Sequence, residues 1–233
     1  EQPRLSCGVD VRPGQSACSL QVASPSTGPA SQLVYGGAAH AGVSSAPVLV
    51  RSPVVDGAAC DFQLVPYPQR GALTNLAPRP VSIGPLSAGQ VCVRVCAVGL
   101  NFRDVLNVLG MYPGDPGNPG GDCAGVVVSC GPGSALRVGS PVFGLAEGCL
   151  GSAVVCRSDT VVPFPLGCLG YEEAASMPTV FTTVHLAFGA CSGVVRGERV
   201  LVPAAAGGVG LAAVQVLRAL GAVPVTTAGS PAK

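Results

Sequence analysis

The stretch Val200-Leu201-Val202-Pro203-Ala204-Ala205-Ala206-Gly207-Gly208-Val209-Gly210-Leu211 constrains this chain more than any other. Val200 to Val202 read as a short buried strand and the small residues after them as a tight turn. Leu211 to Leu220 then carry apolar residues at helical spacing. Val223 to Thr227 reads as a second strand, completing a β-α-β unit. That order builds a place for an anion, because the glycines let the backbone approach a pyrophosphate and the first N–H groups of the helix point at it. A glycine run also occurs in ordinary strand–helix turns; the flanking strand and helix favour cofactor binding here.

The rest of the chain divides by pattern. Between Arg12 and Arg51 there is no charged side chain, only Ser, Ala, Gly, Pro and scattered apolar residues. Runs such as Gln32-Leu33-Val34-Tyr35 and Pro47-Val48-Leu49-Val50 could be strands, but the intervening small residues favour a linker or the tail of something upstream, over residues 1–59. From 60 to 165, short alternating runs (Gln90 to Val98, Gly125 to Ser129, Pro141 to Leu145, Ala153 to Cys156, Val161-Val162) are punctuated by Gly, Pro and Asp. They predict a small barrel or sandwich, interrupted by a helix over Phe102 to Leu109. Residues 166–233 lengthen in period. Tyr171-Glu172-Glu173-Ala174-Ala175 predicts a first helical turn with its acids at the N-terminal dipole, and Pro178 suits the start of a helix on which Phe181, Val184 and Phe188 share a face.

A doubly wound nucleotide domain needs about six strands, and this one is expected to have two. The chain therefore reads as a piece of a longer protein or a truncated product. Residues 1–233 alone are expected to be inactive, to bind cofactor poorly and to aggregate through an uncovered sheet edge.

Charge excludes some partners. Thirteen Lys and Arg nearly balance twelve Asp and Glu, which predicts neither a nucleic-acid nor an acidic-lipid surface. Eleven cysteines include no Cys-x-x-Cys pair and are odd in number. Reduced packing thiols are favoured over a disulfide scaffold, which points to a reducing compartment, the cytoplasm. Ala174 to Val195 is uncharged and long enough for a bilayer, yet Pro178, Gly189 and Gly193 favour a buried helix plus turn.

Four blocks resemble the zinc-free branch of the medium-chain dehydrogenases/reductases, and in particular the enoyl reductase domains of polyketide synthases. They are Val98-Gly99-Leu100-Asn101-Phe102-Arg103-Asp104-Val105-Leu106, Gly110-Met111-Tyr112-Pro113-Gly114, Gly120-Gly121-Asp122-Cys123-Ala124-Gly125 and Ala204-Ala205-Ala206-Gly207-Gly208-Val209-Gly210. Glu172-Glu173-Ala174-Ala175 with Met177-Pro178 and Phe181-Thr182-Thr183 adds a weaker fifth. The resemblance spans about Asp61 to Lys233. It implies a GroES-like β-barrel domain followed by an incomplete Rossmann (doubly wound parallel) domain, with NADPH in the cleft between them. It also implies no metal, since zinc-containing relatives place Cys where this chain has Asn101 and His where it has Gly121, and the four-cysteine lobe has no room between Asp122 and Val142.

The function implied is NADPH-dependent enoyl reduction, with the acyl thioester held on an acyl carrier protein and other synthase domains as partners. A free-standing quinone or enone oxidoreductase and a degenerate non-catalytic module are the alternatives. By motif position, Ala206, Gly207, Gly208, Val209 and Gly210 would carry the pyrophosphate, and Asn101 and Thr183 would flank the nicotinamide. The second strand ends in Thr226-Thr227-Ala228-Gly229-Ser230-Pro231-Ala232-Lys233, without an acid for ribose hydroxyls. Ser230 and Lys233 therefore suit a 2′-phosphate. No catalytic acid is assigned: in related synthases the proposed Lys and Asp lie beyond the position of Lys233, and Leu106 stands where some relatives have Tyr. Tyr112 and His185 fit packing roles better, and Arg103 and Asp104 fit an ion pair or loop anchors. Pro203, in place of a common His, lacks an N–H; it is acceptable at a strand end but is expected to loosen the turn, and Pro224 in the second strand raises the same concern.

Overall fold

A computed structural model describes residues 61–165, 167 and 169–230 (for Ala190 the backbone only), together with the backbone of five short strands before them. Those five are β1 (Ser19–Gln21), β2 (Ser31–Val34), β3 (Val48–Arg51), β4 (Val54–Val55) and β5 (Ala58–Ala59). β2 pairs with β3 and β4 with β5, each antiparallel. The later strands are β6 (Phe62–Pro66), β7 (Leu76–Pro80), β8 (Gln90–Gly99), β9 (Asp122–Cys130), β10 (Pro141–Leu145), β11 (Ala153–Arg157) and β12 (Val161–Pro163).

β8 is the spine of the first half. It carries β9 on one edge; the other edge takes β11 beside its first residues and β1 beside its last. β9 then pairs with β10, and β10 with β12. Alternation explains why: Val91, Val93, Val95 and Val98 are buried in one core with Val127, Val142 and Val154 from neighbouring strands. The sheet is six-stranded and open, and no closed barrel forms among the described residues. Among the described residues closure stops at β6–β7, which forms its own two-stranded sheet; it meets the rest at an isolated bridge, Gln63 to Gly151, flanked by hydrogen bonds from Leu64 N–H to the Leu150 carbonyl at 2.7 Å and from Ser152 N–H to the Phe62 carbonyl at 2.9 Å. The hydrophobic core nevertheless runs across both sheets, since Phe62 and Leu64 of β6 belong to it.

The remaining elements carry the second half. α1 (Phe102–Val108) follows β8 directly. α2 (Tyr171–Ala175) starts where Glu173 Oε2 accepts the Gly170 N–H at 2.9 Å, so one of the acids acts as a cap rather than only meeting the dipole. Ala174 and Ala175 of α2 pack onto Ala97 and Ala124 of the sheet and onto Phe164, just past β12. α3 (Pro178–His185) opens with its proline, and Val184, Phe181 and Phe188 join one cluster as their spacing required. β13 (Arg199–Val202), α4 (Gly208–Ala219) and β14 (Val223–Thr226) form the β-α-β unit, and its two strands are parallel. Leu217 and Ala213 of α4 are buried against Val202, while Leu201 on the opposite strand face is exposed.

Neither proline breaks this pair. Pro203 lies just past the last residue of β13. Val223 and Thr227 donate their N–H groups to Glu198 and Val202 at 2.8 and 3.2 Å, so Pro224, at an alternate position, turns its missing donor away from β13. Seven described cysteines are free thiols, and Cys92, Cys123, Cys149 and Cys156 are buried as small core residues. Burial pushes the Cys156 thiol up to about 12. Among the described residues no helix is long and apolar enough to cross a membrane.

Candidate cofactor-binding site

The turn between β13 and α4 is tied down by β14. Ala205 N–H donates to the Thr227 carbonyl at 2.9 Å and Ala204 N–H to Thr227 Oγ1 at 3.3 Å. Gly207 N–H then returns to the Ala204 carbonyl at 3.0 Å. The first helical bond is Leu211 N–H to Gly207 O, at 2.8 Å. The preceding N–H groups of Gly208, Val209 and Gly210 therefore have no intrahelical acceptor and open at the positive end of a twelve-residue helix.

The three glycines have different reasons to be glycine. A Cβ at Gly210 would meet Ala205 Cα at 2.5 Å and the Ala204 carbonyl oxygen at 2.6 Å, so this position serves close helix–strand packing. A Cβ at Gly207 or Gly208 would meet only ordinary contacts, Ala204 O at 3.4 Å and Val180 Cγ1 at 3.5 Å. Gly207 also has φ −82°, available to any residue. Packing and backbone conformation leave these two bare positions unexplained; a ligand lying against the turn explains them.

Ala204 is the strained member. Its φ of +52° is left-handed, where a Cβ costs about 1–2 kcal/mol. Ala204→Gly is expected to raise stability by roughly 1 kcal/mol, read as a higher urea midpoint at unchanged slope. A lower midpoint would mean that the Ala204 methyl makes a stabilising contact.

Helix α3 joins this turn to the other half of the molecule through consecutive residues. Val180 faces Gly208. Thr179 donates to Asp122 twice, from Oγ1 to Oδ1 at 2.6 Å and from its backbone N–H to Oδ2 at 3.1 Å. Asn101 Nδ2 donates to the same Oδ2 at 3.1 Å. Thr183, one turn along α3 and exposed, donates its hydroxyl to the Thr179 carbonyl at 2.7 Å. Asn101 and Thr183, which sequence places together only by resemblance, thus stand at two ends of one hydrogen-bonded chain.

Asp122 was not expected as a site residue, though the sequence held a signal: one acid within the small-residue run Gly120 to Gly125. It is 1% exposed, and burial raises its carboxyl above the ordinary range against the lowering effect of Thr179 and Asn101. Asp104 proves to be a loop anchor: its oxygens accept the Asn101 N–H and the Gly120 N–H, both at 2.8 Å. Arg103 makes no ion pair with it; its guanidinium lies 5.1 Å from the Tyr112 ring centroid. His185 is exposed at the end of α3. Ala206 is half-buried in the turn, Val209 and Ser230 are exposed, and Lys233 lies outside the described residues. No cluster of three or more His, Cys, Asp or Glu suited to a metal occurs among the described residues.

Residues 87–188 match the alcohol dehydrogenase GroES-like domain family. The spectinabilin polyketide synthase system protein NorB of Streptomyces orinoci is 48% identical over 159 residues, 68% of this chain but 7% of that protein. The CurK enoyl reductase crystal structure superposes with a TM-score of 0.69 at 36% identity, over 74% of this chain and 55% of that one. Mycobacterial Rv1454c, solved in complex with NADPH, gives 0.65 at 27% identity, over 74% and 54%. The chain thus spans about half the length of these solved structures and a small part of the synthase.

Proposed function

Because the chain belongs to the medium-chain dehydrogenases/reductases, alongside the enoyl reductases of polyketide synthases, we propose that it forms part of an NADPH-dependent enoyl reductase domain of a polyketide or fatty-acid synthase. The observation that carries the reading is α3. Val180 and Thr179 are adjacent in sequence, yet one touches the bare glycine turn and the other the Asp122–Asn101 pair. A cofactor whose pyrophosphate lies on the turn would bring its nicotinamide along this helix.

When bound, NADPH supplies the hydride that adds to the β-carbon of an α,β-unsaturated acyl thioester. The chain's own residues bind and orient. The N–H groups of Gly208, Val209 and Gly210, with Ala206 and Gly207 keeping the turn, hold the pyrophosphate. Ser230 and Lys233 hold the 2′-phosphate, in a strand end that offers no acid to ribose hydroxyls. Asn101 and Thr183 flank the nicotinamide. Reduction builds negative charge on the thioester oxygen, which needs a positioned donor; the second Nδ2 hydrogen of Asn101 is free of Asp122 and serves there. No side chain among the described residues is assigned the α-carbon proton. The partners are an acyl thioester on a carrier protein and neighbouring synthase domains, in the cytoplasm.

Fluorescence titration of the intact protein with both nicotinamide cofactors tests this. NADPH is expected to bind at least about tenfold tighter than NADH, about 1.4 kcal/mol for the phosphate contacts. Equal affinities would remove Ser230 and Lys233 from the site, and no binding of either would leave a non-catalytic module.

A further inference from the structure

We propose that Asp122 is a positioning residue, which fixes the Asn101 amide against helix α3 and so sets the substrate-side donor in register with the helix that carries Thr183. The inference rests on the reading of the site as a nicotinamide pocket and goes beyond it by assigning a residue outside the glycine turn and outside the flanking pair.

Three donors converge on this one carboxylate from two separate elements: the Asn101 side chain at the head of α1, and the hydroxyl and backbone N–H of Thr179 in the first turn of α3. A carboxylate only accepts, so it dictates the direction of each partner. The Asn101 amide must turn Nδ2 inward, which leaves its oxygen and second N–H hydrogen on the side away from Asp122. The Thr179 hydroxyl must also point inward. The Thr179 carbonyl, at the same residue, accepts the Thr183 hydroxyl and orients that side chain in turn.

Stability alone does not account for an acid here. Asp122 is almost fully buried, and its raised carboxyl means that burial outweighs the three donors. An asparagine of the same shape would spare the fold that cost: with its oxygen at the Oδ2 position it still accepts from Asn101 and from the Thr179 N–H, while its Nδ2 donates to the Thr179 hydroxyl, which can accept as well as donate. An alanine removes the shared acceptor altogether, so that nothing directs the Asn101 amide against α3.

The test uses the intact protein with a crotonyl N-acetylcysteamine thioester as substrate. Asp122→Ala is expected to lower kcat by roughly 10- to 100-fold, with NADPH affinity within about threefold of wild type, and Asp122→Asn, which keeps the shared acceptor, should recover most of that loss. Thr179→Val should lower kcat in the same direction, and Thr179→Ser, which keeps the hydroxyl, should recover most of that loss. Wild-type kcat in Asp122→Ala overturns this inference alone. A fall in kcat that follows the urea midpoint in Asp122→Ala and Asp122→Asn alike also overturns it, making Asp122 a structural acid. Wild-type protein that neither binds NADPH nor turns over overturns the functional reading and this inference with it.

Discussion

Methyl groups added at Gly207 and Gly208 together are expected to weaken NADPH binding by roughly 5- to 150-fold, the equivalent of about 1–3 kcal/mol of overpacking. The melting temperature should fall only slightly. Both positions accept a Cβ at 3.4–3.5 Å from their nearest neighbours; Ala is at least as favourable as Gly at Gly208, the first helical residue, and less favoured by roughly 0.5–1 kcal/mol at Gly207, the N-cap. A loss of affinity beyond that is lost by the ligand. Gly210→Ala should do the reverse. Its methyl runs into the backbone of Ala204 and Ala205 at 2.5–2.6 Å, which parts the helix from the strand and costs roughly 3 kcal/mol of stability. Urea denaturation and NADPH titration of both variants separate the two roles. If the double variant loses stability instead of affinity, the turn is glycine-rich for packing rather than for a ligand.

The second large effect concerns Asp104. Its carboxylate binds the N–H of Asn101, capping α1, and the N–H of Gly120 in the loop before β9. Asp104→Ala strands both donors, one of them fully buried, and is expected to cost roughly 2–4 kcal/mol. Activity should fall as well, because Asn101 is the residue whose backbone it holds. Asp104→Asn should show a smaller loss, since one oxygen remains to accept one of the two N–H groups. A wild-type urea midpoint in Asp104→Ala would show that water replaces the carboxylate and that the anchor is dispensable.

Much of this was legible from local pattern. The valines of β8 alternate as a half-covered strand must, and the run from Val200 to Leu220 announced strand, turn and helix because each obeys a short-range rule. Pro178 marked the start of α3 for the same reason. That the described residues do not close into a barrel was not legible, because pairing between distant strands depends on long-range register rather than on period. β6–β7 stands as its own two-stranded sheet, meeting the rest at an isolated bridge and the hydrogen bonds beside it. Pro224 shows the same limit: whether it harms a strand depends on which edge its missing N–H faces, and only the partner strand decides that.

The site divides similarly. Gly207, Gly208 and Gly210 stood out together in sequence, but their separate roles follow from which neighbours a Cβ would meet. Asn101 and Thr183 lie 82 positions apart (183 − 101), and nothing local links them. Their link is Asp122, a residue that sequence showed only as an acid in a small-residue run, and Thr179, which looked like any threonine on a helix.

The most direct test of the functional account follows the hydride itself. The intact protein, given NADPH deuterated at the transferring position and a crotonyl thioester, should yield a saturated product carrying one deuterium on the β-carbon. A thioester recovered unreduced, with deuterated NADPH consumed only when a quinone is supplied, would contradict the enoyl reductase reading and assign the site to quinone reduction.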